Sequence, residues 1–166
     1  MRTAVIVGLL AAVNAATAAP ITIAREGELF YVVERVSVRY GTITAPRVAT
    51  WRKSVGTLRC DAVTFAPDPA PGRVKYCQVS SKNPRPGVAK LSWVASPSPG
   101  VAEYRVYMTN TPGQYAAMGW AAGLQVTFGV AGLALGQTVY FSVKALDAGG
   151  VSSGFSNEAS KTLVAP

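Results

Sequence analysis

Apolar and polar positions alternate along most of this chain with the period of two that marks strands, not the 3.6 of helices. Runs at residues 28–33, 35–40, 48–58 and 73–80 are rich in β-branched and aromatic residues, and a second set follows at 89–93, 104–107, 126–130 and 139–145. In one run Val36, Val38 and Tyr40 share a face while Arg35, Ser37 and Arg39 share the other. Val139, Phe141, Val143 and Ala145 alternate in the same way against Tyr140, Ser142, Lys144 and Leu146. Turn signals separate the runs, among them Ser96-Pro97-Ser98-Pro99-Gly100 and Asp147-Ala148-Gly149-Gly150. The pattern predicts an all-β chain.

The N-terminus follows a different logic. Arg2 precedes an apolar run over residues 4–13, small residues follow from Asn14, and Ala16-Thr17-Ala18 matches a leader-cleavage site. This is the layout of a secretory leader over residues 1–18, cut before Ala19 or one register later. The run falls well short of the ~20 residues that span a bilayer; its other reading is a short buried helix. The mature product is expected to be exported, secreted or at the cell surface or in a periplasm, with no transmembrane segment. In such a compartment Cys60 and Cys77 are expected to pair.

Charge then divides the mature chain. Residues 19–90 carry twelve basic and five acidic side chains, a net of +7, whereas residues 91–166 balance at three of each. Between them Ser80-Ser81-Lys82-Asn83-Pro84-Arg85-Pro86-Gly87 reads as a linker. The expected organisation is a basic module over 19–80, a linker over 81–87 and a second domain over 88–166. A module of about 60 residues buries a marginal core, so a covalent staple suits it. Closing the sixteen-residue loop between Cys60 and Cys77 is worth about 3 kcal/mol in the chain-entropy model.

The absence of histidine excludes Ser-His-Asp triads, Cys-His dyads and histidine-ligated zinc, and two cysteines do not make a cysteine-only zinc site. The eight acidic residues are scattered, without paired-carboxylate or Asp-x-Asp spacing. No catalytic residue, metal site or cofactor is expected, and the sequence points to a binding or structural protein.

Two resemblances sharpen this. Tyr40-Gly41, Trp51, Cys60, Phe65, Asp68-Pro69-Ala70-Pro71-Gly72 and Lys75-Tyr76-Cys77 resemble a recurring small disulfide-stapled module of secreted bacterial proteins. The resemblance spans residues 40–77 and brings no assigned activity. Trp93, Tyr104, Val106-Tyr107, Leu133, Gly136, Val139 to Ala145, Asp147 and Phe155-Ser156-Asn157-Glu158 resemble a bacterial fibronectin type III domain over residues 87–164. That resemblance implies a β-sandwich with Trp93 in its core. Val139 stands where the family carries its corner tyrosine, and the first strand is missing from the prolyl stretch at 82–87, so an edge strand that is either short or borrowed from the linker is expected there. The fold class is therefore a small disulfide-bonded β module followed by a fibronectin type III-like sandwich.

The candidate binding residues are Arg35, Arg39, Trp51, Arg52, Lys53 and Arg59, with Arg47 near them. They read either as a solvated surface or as a site for an extracellular glycan or polyanion. Trp51 either caps the small core or stands exposed as a stacking platform. Trp120 either covers an open sandwich edge or meets a partner. No nucleic-acid motif accompanies the charge, so sequence-specific nucleic-acid binding is not expected. The leading function is a non-catalytic exported attachment protein. The alternative is an accessory subunit of an extracellular assembly that pairs with a protein partner through a sandwich edge.

Overall fold

The computed structural model describes residues 3–10, 20–44, 47–79 and 87–164, all in strands and turns. The strands are β1 (Val5–Leu10), β2 (Ile21–Arg25), β3 (Leu29–Gly41), β4 (Ala49–Arg59), β5 (Tyr76–Val79), β6 (Gly87–Val94), β7 (Val101–Thr109), β8 (Trp120–Gly123), β9 (Thr127–Leu133), β10 (Thr138–Asp147) and β11 (Ala159–Thr162). A four-stranded sheet in the order β11-β10-β7-β8 faces a seven-stranded sheet in the order β1-β6-β9-β3-β5-β2, with β4 on the other edge of β3. The all-β, fibronectin type III-like sandwich is thus present. Trp93, Leu91, Phe128, Val130, Val106, Phe141 and Val143 fill the space between its sheets.

The runs at 28–33 and 35–40 are one strand of thirteen residues, β3, interrupted by a register shift between Val32 and Val36. This strand is the spine of the molecule. One edge pairs with β4 along its length, while the other takes β9, in parallel, at Phe30 to Val32 and then β5 at Val38 to Gly41. Its first half is apolar on both faces, as a strand buried on both sides must be. Leu29, Tyr31 and Val33 pack against the sandwich core. Phe30 and Val32 enter a second core with Val38, Tyr40, Ile23, Phe65, Val79 and the disulfide. The two halves therefore share one hydrogen-bonded sheet. At the joint, a Cβ on Gly129 would lie 2.0 Å from the Ile23 carbonyl oxygen, so only glycine lets β2 lie across β9.

Side-chain amides extend the ladders where strands run out. Gln125 accepts from the Leu29 amide through Oε1 and donates to the Leu29 carbonyl through Nε2, both at 2.7 Å. Trp120 lies flat on Tyr31, ring centroids 3.9 Å apart and 9° from parallel. It therefore packs the edge strand β8 of one sheet against β3 of the other.

The Cys60–Cys77 disulfide is formed and closes the expected proline-rich loop, which is anchored from both ends. Phe65 is buried and stacks near Tyr40. Lys75, 3% exposed, places its ammonium 3.1 Å from Glu26 and 3.2 Å from Asp68. It also donates to the carbonyls of Ala70 and Arg73 at 3.1 and 2.8 Å. Tyr40 donates to Glu26 at 2.6 Å. The run expected over 73–80 narrows to β5 for this reason: Arg73 and Lys75 serve the loop, and pairing starts at Tyr76.

The missing first strand of the sandwich comes from an unexpected place. It is β1, inside the segment read as a leader, where residues 5–10 are extended and not helical. Val5 to Leu10 pairs antiparallel with β6, and Ala4 and Ile6 are buried in the sandwich core. Asn157 clamps the strand's outer edge, accepting from the Ile6 amide at 2.8 Å and donating to the Ile6 carbonyl at 3.3 Å. An extended apolar run suits an open sheet edge as well as it suits an export signal, and helix propensity yields to that tertiary pairing. Gly87, placed in the linker by sequence, opens β6. The cleavage register at 16–18 and linker residues 81–86 lie outside the described residues.

Candidate functional site: a basic and aromatic face

Four neighbouring strands place one row of side chains on the outer face of the basic half. Register pairs Thr22 with Gln78, Gln78 with Arg39, and Arg39 with Trp51. Directly opposed residues of antiparallel neighbours point the same way. Three of its members are bonded to one another: Arg39 Nη1 donates to Gln78 Oε1 at 2.5 Å, and Gln78 Nε2 donates to Thr22 Oγ1 at 3.0 Å. Arg39 Nη2 also donates to the Thr42 carbonyl at 2.9 Å. The guanidinium is thus fixed in place although its residue is only 8% exposed.

Trp51 continues the row with half its surface, 51%, open to solvent. It does not cap the small core, because it faces away from Val38, Tyr40 and Val79, which form that core. Lys53, two residues further along β4 and opposite Ser37, shares its face and is exposed. At the other end of the row Pro20, Arg39, Ile43, Arg47 and Gln78 line a recess of about 200 Å³. Burial, and then the like charge of Arg47, pull the Arg39 pKa below the ordinary arginine value. The ion pairs among the described residues belong to Lys75 and Arg105, so neither Arg39 nor Arg47 is neutralised by a carboxylate. Two cations, one rigid and one exposed, converge on a small recess beside an open indole. That arrangement suits an anionic group next to a ring.

The six expected residues do not form one face. Arg39, Trp51 and Lys53 come together, with Arg47 at the end of the row. Arg52 is opposed to Val38 and so projects to the other side of the sheet, where it donates to the Thr64 carbonyl at 2.6 Å. Arg35 is exposed in the irregular stretch between Val32 and Val36. Arg59 ends β4 and donates to the Gly27 carbonyl at 2.7 Å. Gln78, Ile43 and Pro20 escaped the sequence reading. Nothing local marks them; they join the site only because β2, β3 and β5 are neighbours.

No protein-family model matches the chain, and no curated protein matches it either. Among solved structures it is similar to the sixth fibronectin type III domain of human fibronectin type III domain containing protein 3. That likeness has 25% identity over 47% of this chain and 73% of the other, with a TM-score of 0.40. It is also similar to a β-1,2-glucanase from Parabacteroides distasonis, at 12% identity over 89% of this chain and 28% of that one, with a TM-score of 0.42. Likenesses this loose do not bear on what the chain does.

Proposed function

We propose that this chain is a non-catalytic exported attachment protein that holds an extracellular glycan or polyanion against the outer face of β3 and β4. The observation that carries this reading is the exposed Trp51 in register with a fixed Arg39 and beside Lys53. A stacking surface next to cations is what a charged polymer of rings requires. The disulfide is consistent with an oxidising, extracellular location. The full chain is expected to bind a heparin-like or acidic polysaccharide column and to elute as salt rises from roughly 50 to roughly 200 mM. Trp51→Ala should remove a component that salt does not touch, worth about 1–3 kcal/mol by analogy with base stacking. Failure to retain acidic or neutral glycan at low salt would reduce the face to a solvated surface.

The alternative reading, an accessory subunit of an extracellular assembly that works by strand pairing, is supported by β1. Its residues are the same ones that read as a leader. A chain starting at Ala19 would present the bare edge of β6 and the Asn157 amide to any extended apolar segment. In this reading such a chain sediments as multimers at micromolar concentration, and a synthetic peptide with the sequence of residues 3–10 returns it to monomer. A monomer indifferent to the peptide removes the reading.

A further inference from the structure

The recess at the end of the Arg39 row is a more specific object than a basic surface. Its volume, about 200 Å³, lies below the roughly 300–1,000 Å³ of ordinary small-molecule sites. It has room for one small group, not for a chain. It is lined by two arginines, Arg39 and Arg47, and by Gln78, together with the apolar residues Pro20 and Ile43. Arg39 has five N–H donors, and two make hydrogen bonds among the described residues. Those two bonds, to Gln78 and to the Thr42 carbonyl, hold the fork before any ligand arrives, so little of its freedom is left to lose on binding. Arg47 is exposed and brings a second positive charge from the turn that joins β3 to β4. Across the row, Trp51 sits one strand from Arg39, a spacing of about 4.8 Å.

We propose that this recess seats the oxyanion of an acidic sugar, a carboxylate or a sulfate ester, between Arg39 and Arg47, while the adjoining ring of the same glycan lies on Trp51. The proposal rests on the attachment reading above and narrows it: the protein reads acidic sugar units one at a time instead of sensing overall polymer charge. Arg39 supplies the directional fork, Arg47 the second charge and Trp51 the ring surface. Oxyanions accept paired bonds from a planar guanidinium, which explains an arginine at the fixed position. A lysine there would offer charge without the fork.

The test uses the full chain and four small probes: glucuronate, glucose 6-sulfate, glucose and inorganic sulfate. Binding is followed by tryptophan fluorescence and by the NMR signals of the arginine side-chain N–H groups. Either acidic sugar is expected to bind about tenfold or more tightly than glucose, the scale of a charge-assisted hydrogen bond, and to shift one arginine Nε–H signal. Comparing the two sugars tells carboxylate from sulfate as the preferred anion. Arg47→Ala, an exposed substitution that leaves the sheet intact, should bring acidic sugars down to the glucose level. Arg39→Lys should weaken them while the melting temperature shows the protein still folded. Equal binding of acidic and neutral sugars, or an Arg47→Ala protein that still tells them apart, overturns the seat. Inorganic sulfate binding as well as glucose 6-sulfate, with no change at Trp51, overturns the sugar part. The two levels fail separately. A column that retains acidic and neutral polymers alike leaves attachment standing without the seat, whereas Arg47-dependent binding of acidic monosaccharides with no polymer retained leaves the seat without attachment.

Discussion

Phe30→Ala should destabilise the whole protein by about 3–5 kcal/mol, the cost of emptying a fully buried aromatic site, and both halves should unfold together. Phe30 is completely buried in the small core, yet its strand neighbours Leu29, Tyr31 and Val33 pack on the sandwich core. Its backbone also sits in the parallel pairing with β9. A cavity on one side of such a strand loosens the packing on the other. Denaturant unfolding can be followed by fluorescence from Trp93 alone, with Trp51 and Trp120 changed to phenylalanine, and by amide exchange at Tyr40 and Val79. Coincident transitions, shifted equally by the substitution, are expected. Two separate transitions, with only the exchange probe responding, would mean that the halves fold independently despite the shared strand.

Lys75→Ala should cost about 3–5 kcal/mol, the usual penalty for removing one partner of a buried ion pair, and it should also change how stability depends on pH. Glu26 and Asp68 keep some contact with water, which places the loss toward the lower end. Burial pushes the Glu26 carboxyl upward, but the Tyr40 hydroxyl and the Lys75 ammonium outweigh it and hold its pKa below the ordinary 4.5. Its contribution is therefore present above pH 4.5 and is lost as pH falls through the lowered value. Burial works against the Lys75 ammonium too, yet bonds to Glu26 and Asp68 raise its pKa above the ordinary 10.5. That contribution is whole below pH 10.5 and disappears as pH rises through the raised value. Stability is thus expected to be level between these limits and to fall beyond each. Lys75→Met, which keeps most of the packing volume, should flatten both shoulders. A Met variant with the same pH profile as the parent would show that the ion cluster contributes nothing to the titration.

The strand pattern, the disulfide and the sandwich core were legible because each depends on residues close in sequence or of unmistakable type. Trp93 and the alternation through Val139, Phe141 and Val143 carry their burial in their spacing. The joint between the halves was not read, although its signal was there: Leu29-Phe30-Tyr31-Val32-Val33 is an unbroken apolar run, not an alternating one, which marks a strand buried on both faces. The basic face was half legible. Alternation within β4 puts Trp51 and Lys53 together and Arg52 opposite, but the position of β4 relative to Arg39 depends on a register set by an irregularity between Val32 and Val36. No local rule placed that irregularity. Nor did any place Asn157 against the strand at Ile6, 151 residues away.

Fibronectin-like units commonly behave as beads that can be cut from one chain and joined to another at their linkers. The parallel contact of Phe30 to Val32 with Gly129 to Ala131 changes that here. A recombination break between residues 79 and 87 would separate β3 from β9, leave each with a raw edge and open both cores to water. The glycine that lets Ile23 cross β9 would become a liability in any new context, since it would then pack against nothing. Crossovers in a gene of this kind are therefore expected to be selected against at the apparent linker, so the basic face and the sandwich would be inherited as one piece.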